Sequence, residues 1–147
     1  MAFELHPQLA QDSYCLGHFP LSLVLLSKDA QYPWLILVPQ RAGAEEIYQL
    51  EAHDQQQLLT ESSLLSQRLA KAFNADKMNV AALGNVVPQL HVHHVVRYQT
   101  DPAWPAPIWG AKPATTYTDQ QFQKRVDTIT LALRDTDFVA SPILAGQ

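Results

Sequence analysis

Cysteine is nearly absent: Cys15 is the only one in the chain. It can form no internal disulfide, so a reducing compartment is the default. Set between Tyr14 and Leu16, it reads as a small packed residue rather than a nucleophile. Positive charge is also scarce. Ten Lys and Arg stand against fourteen Asp and Glu, a formal net charge of −4, which disfavours a nucleic-acid or anionic-membrane binder carrying a basic face. That balance leaves room for one phosphorylated ligand in a local pocket. No apolar run nears the roughly 18 residues of a membrane span, and no basic-then-apolar leader opens the chain, so the cytoplasm is the expected address. No Walker-type Gly-rich lysine loop or acidic cluster occurs, which points to chemistry with no metal and no cofactor. Charged residues make up only 16% and apolar ones 47%, against disorder. The 147 residues are expected to form a single domain, 1–147, with a core over about 1–110 and a C-terminal loop and helix over 111–147.

What is present is strong periodicity. A short helix or turn is expected after Pro7. Two apolar runs, Leu21–Leu26 and Trp34–Val38, flank a turn-prone segment and suggest an antiparallel pair ended by Pro39. A connection with a short helical turn spans Arg41–Leu50. From Ala52 to Phe73 the leucines Leu58, Leu65 and Leu69 recur near the helical period, and Asn74-Ala75-Asp76 supplies the stop. Met78–Leu83 reads as a strand leading into the next one, with no room for a parallel crossover. Asp101–Pro113 is a proline- and tryptophan-rich loop, Thr118 and Gln121 form a capping box, and a helix to about Arg134 carries Phe122, Val126, Ile129 and Leu133 on one stripe. The last ten residues or so are uninformative. The expected fold is α+β, an antiparallel sheet of about five strands with a long central helix and a C-terminal helix.

The stretch with chemistry is Gly84–Arg97, where His91, His93 and His94 fall within a valine-rich run. As a strand it places Gln89, His91, His93 and Val95 on one face, and Leu90, Val92, His94 and Val96 on the other. Two imidazoles on one face of a rigid element can reach one small ligand. An imidazole nucleophile needs one neutral nitrogen free and the other held by an acceptor, for which a carbonyl of the Gly84–Pro88 loop is suited. Read by themselves, His94 is a packing residue, Arg97 a solvated charge at the strand end, and His6, His18 and His53 surface residues. Asp29 is a turn residue, and Asn85 stays open between turn and phosphate contact. Trp104 and Trp109 stay open between core or dimer contacts and the wall of a ligand pocket, with Trp104 carried as the binding candidate.

Gly84–Val96, read G-N-V-V-P-Q-L-H-V-H-H-V-V, resembles the signature of the histidine-triad nucleotide hydrolases and transferases, His-φ-His-φ-His-φ-φ with φ apolar. The likeness extends to the paired strands ending in Val-Pro, the long helix and the Trp-Pro loop. It implies a homodimer whose sheets join, and a nucleotide substrate cleaved at its α-phosphate through a covalent nucleotidyl-histidine. On that likeness His91 is the nucleophile and His93 a donor to the phosphate oxygens. Asn85 falls where the family often has a Gln at the phosphate, and Asp29 near its ribose-binding acidic residue. This sequence departs in two places. Gln89 replaces the first histidine, where it can orient a neighbour but relay no proton, and Trp34 stands where many relatives have a histidine. Two other readings stay open: a weakly active or inactive nucleotide-binding module, and a His-x-His metal-binding protein, which would usually add a nearby Glu.

Overall fold

The computed structural model describes residues 2–141. The chain opens with a short helix α1 (Pro7–Asp12), its first turn capped by His6, whose Nδ1 accepts from the Gln8 N–H at 3.0 Å. Strands β1 (Ser13–His18), β2 (Ser22–Ser27) and β3 (Trp34–Pro39) follow as an antiparallel meander. The long helix α2 (Ala52–Ala72) leads to β4 (Lys77–Ala81) and β5 (Val92–Arg97), then α3 (Asp119–Ala132) and a two-residue β6 (Val139–Ala140). The sheet has six strands in the order β4-β5-β3-β2-β1-β6, every pairing antiparallel.

The fold class is α+β with one antiparallel sheet, as read from periodicity, but six strands replace the expected five or so. β1 follows α1 without a loop, so its alternation is masked by the helix before it. β6 has only two residues and no pattern to read. It depends on Gly17, which sits at φ +155 and where an added Cβ would lie 2.1 Å from the Val139 carbonyl oxygen. Only a residue without a side chain lets β6 come so near β1.

The two sheet faces bury different things. Leu16, Val24, Leu26, Leu35, Leu37, Val92 and Val96 pack under α2 and α3 with Leu58, Leu65, Leu69, Val126, Ile129 and Leu133. Each such leucine contributes roughly 1.5–3 kcal/mol by leaving water. Asn74, at φ 50, terminates α2 in the left-handed conformation its sequence suggested. Thr118 and Gln121 form the expected capping box on α3. Two positions on the buried stripe of α2, Asp54 and Glu61, are not apolar. Glu61, 2% exposed, accepts from the backbone N–H groups of Leu21 and Ser22 at 2.8 and 3.1 Å and so ties α2 to the start of β2.

On the opposite face Leu25, Ile36 and Val38 are covered by Leu9, Val87 and the partly buried Phe3 and Leu5 of the N-terminal segment. Beyond them the Trp-Pro loop folds back over β5. Arg97 is its anchor, and the expectation of a solvated charge was wrong. The side chain is 1% exposed; Nε and Nη2 bind Asp101 at 2.7 and 3.1 Å, Nη1 binds the Asn79 side chain at 2.6 Å, and Nη2 also donates to the Ala106 carbonyl at 2.8 Å. A strand-end arginine with an aspartate four residues later and a returning loop has its fork filled, which is the condition for burying it. Burial pushes the Asp101 carboxyl up, but Arg97 and the N–H groups of Tyr98, Trp104 and Ala103 outweigh that and hold it below the usual range.

Candidate functional site

Strand β5 starts at Val92, so His91 is the last residue of the incoming loop and His93 the second of the strand. The alternation still holds across that junction: the two rings stand edge to face with centroids 4.9 Å apart. Opposite them in the sheet is Ile36, paired with His93, and Trp34, paired with Val95. Trp34 reaches diagonally to His93, and Trp109 from the loop closes on both, its ring 5.1 Å from His93 and 6.1 Å from Trp34.

Hydrogen bonds fix the tautomer of each imidazole. His91 Nδ1 lies 2.7 Å from the Gln89 carbonyl; a carbonyl only accepts, so Nδ1 carries the proton and Nε2 the lone pair. The acceptor is thus one residue beyond the Gly84–Pro88 loop expected to supply it. Among the described residues His91 Nε2 meets no hydrogen-bond partner. His93 is the reverse. The Trp34 indole N–H donates to His93 Nδ1 at 2.9 Å, and an indole N–H cannot accept, so the His93 proton sits on Nε2. Burial first, then the neighbouring His91 and His94, lowers the His93 pKa to about 3. The site therefore offers one imidazole lone pair and one neutral N–H donor, side by side.

His94 points the other way, wholly buried beneath α2, with Nδ1 on the Val92 carbonyl at 3.0 Å and Nε2 on Ser62 Oγ at 2.7 Å. Trp34 and Trp109, the ring neighbours of His93, also line a cavity of about 540 Å³ whose walls include neither His91 nor His93.

The family model of the HIT domain matches residues 8–100. A histidine triad protein from Marinobacter aquaeolei VT8 is 51% identical, over 90% of this chain and 97% of that one, with a TM-score of 0.88. The chain belongs to the histidine-triad family. A second member, from Bradyrhizobium japonicum, is 44% identical over 90% of this chain and 98% of its own, TM-score 0.88. A third, from Sinorhizobium meliloti 1021, is 40% identical over 89% and 97%, TM-score 0.86. Comparison with curated proteins gives no match.

Against the histidine-triad pattern, the remaining site candidates fall in different places. Gln89 does not turn its side chain to the imidazoles. Its Oε1 accepts from the His6 N–H and its Nε2 donates to the Glu4 carbonyl, both at 2.8 Å, so it pairs with the N-terminal backbone as a strand would. Only its own carbonyl serves His91. Asn85 is exposed on the loop between β4 and β5. Asp29 lines the cavity, its carboxylate accepting from the backbone N–H groups of Gln31 and Thr115 and from the Gln31 side chain. Trp104 lies against the buried Arg97, 5.5 Å from its guanidinium, and it is Trp109 that packs on His93. No trio of His, Cys, Asp or Glu among the described residues is placed to hold a metal ion.

Trp34 was legible only as a departure. Its role follows from strand pairing: a residue opposite Val95 is the diagonal neighbour of His93, within reach of a long aromatic side chain. Nothing local in the sequence separates Trp109 from Trp104.

Proposed function

We propose that this histidine-triad protein is a nucleotide hydrolase or transferase in which His91 attacks the α-phosphorus of a nucleoside phosphoanhydride or phosphoramidate. The observation that carries this reading is the opposed pair of tautomers. In the neutral His91 ring the Nδ1–H is held by the Gln89 carbonyl, which leaves the lone pair on Nε2 for the attack. His93 Nε2–H, held in place by Trp34, stands ready to donate to an equatorial phosphate oxygen as charge builds there. In the first step the Nε2–P bond forms and the bond from phosphorus to the leaving group breaks. In the second, water attacks phosphorus and releases a proton to solvent as the electron pair of the P–N bond returns to Nε2. Asn85 and the backbone N–H groups around Gly84 are the proposed further phosphate donors, and Asp29 the proposed ribose contact.

A joined-sheet homodimer acting in the cytoplasm completes the reading. β4 is an edge strand, and Val80 on it, with Leu59 of α2 and Ile47, is 42–60% exposed around a mostly apolar groove. An uncovered edge beside exposed apolar side chains suits pairing with a second copy.

Brief exposure to a dinucleoside polyphosphate followed by an alkaline denaturing quench, which preserves a P–N bond, should leave a nucleotide mass on His91 in the wild type and none in His91→Ala. Nucleotide binding without adduct or turnover would instead establish a binding module, the outcome that the diverted Gln89 side chain favours.

A further inference from the structure

Resting on the reading above, we infer that this site cleaves phosphoanhydrides, which release an anionic phosphate or nucleotide, and discriminates against phosphoramidates, whose amine must be protonated to depart. The single proton of His91 stays on Nδ1, committed to the Gln89 carbonyl. That of His93 is the Nε2–H of a neutral imidazole, and surrendering it would leave an imidazolate. A second proton is kept off His93 because Trp34 N–H occupies Nδ1 and burial opposes the charge. Gln89 stands at the first motif position, its amide bonded at both ends to the N-terminal backbone, and an amide relays no proton in any case. The other ring neighbours, Trp34 and Trp109, are not acids.

A leaving group must then depart with the electron pair of the broken bond and no proton. For a phosphoanhydride the P–O bond breaks and the pair rests on a phosphate oxygen, weakly basic enough, its conjugate acid having a pKa of about 6, to leave as the anion. For a phosphoramidate the P–N bond would break to give an unprotonated, strongly basic amide anion.

Competing substrates that share one adenylyl group test this: diadenosine tetraphosphate against adenosine 5′-phosphoramidate, by kcat/KM at pH 7, with the adduct on His91 measured for both after an alkaline quench. The expected preference for the tetraphosphate exceeds about tenfold. Adduct from both substrates at a ratio below that overturns the inference and leaves the nucleophile standing. No adduct from either brings down the proposed function and the inference with it. A series of adenosine 5′-aryl phosphates gives a second readout: kcat/KM should fall steadily as the phenol becomes more basic, and a flat series overturns the inference.

Discussion

His91 and His94 are locally the same device. Each donates from Nδ1 to the carbonyl two residues earlier, Gln89 in one case and Val92 in the other, at 2.7 and 3.0 Å. Each therefore turns an Nε2 lone pair outward from the chain. Three residues apart near the start of β5, they point to opposite sheet faces, and everything that separates them is tertiary. His94 Nε2 runs into Ser62, a half-buried residue of α2, whose hydroxyl proton occupies it. His91, itself largely buried, lies on the other face with its ring against His93, and among the described residues its Nε2 meets no hydrogen-bond partner. A backbone rule makes two equivalent imidazoles; packing makes one a candidate nucleophile and the other a bolt between sheet and helix.

Substituting each histidine in turn gives the strongest test of that contrast. His91→Gln should reduce turnover by about 10⁴-fold or more, since no other group can form the covalent intermediate, while shifting the melting temperature little. His94→Leu should do the converse. It strands the Ser62 hydroxyl and disturbs a filled core, at a cost of about 2–4 kcal/mol in denaturant unfolding, with the remaining folded protein keeping most of its activity. Equal losses of turnover in the two variants would erase the distinction.

Acid is the next lever, because burial is the first cause lowering both His93, to about 3, and His94, to about 4, from an ordinary 6.5. The unfolded chain takes up protons below about pH 6.5 that the folded chain refuses. Stability is thus complete above that pH and falls as pH drops toward 3–4. At pH 5 each buried imidazole accounts for about 2 kcal/mol of the loss. Urea unfolding at pH 7 and pH 5 measures it, and His94→Leu should lose about half as much between the two. An unchanged pH dependence in that variant would mean that His94 is not the buried neutral group described.

Much of this organisation could be read in advance because it depends on period. Leu58, Leu65 and Leu69 announce α2, Thr118 with Gln121 announces α3, and alternation put His91 and His93 on one face with His94 on the other. What could not be read depends on partners distant in the chain. The Arg97 fork is filled by Asp101 four residues on, but also by Asn79 of β4 and by the Ala106 carbonyl that the folded Trp-Pro segment brings back. Gln89 looks like a site residue by spacing, yet Glu4 and His6, more than eighty positions away, claim its side chain. Glu61 breaks the apolar stripe of α2 for the sake of two N–H groups at the start of β2. In each case a polar side chain at a patterned position answers to a backbone group that periodicity does not locate.

The smallest expected effect probes the comparison most finely. Ser62→Ala removes the hydroxyl that occupies His94 Nε2 while leaving the Val92 carbonyl bond in place. His94 then has the same tautomer and the same open lone pair as His91, but sealed under α2. The cost should be about 1–3 kcal/mol, that of a buried acceptor left unpaired, read from the urea midpoint. If an open Nε2 were enough for reaction, a nucleotide adduct would now form on His94 as well as on His91. None is expected on His94, because phosphorus cannot reach it, and its appearance would show that occupancy by Ser62, rather than burial, had kept that nitrogen silent.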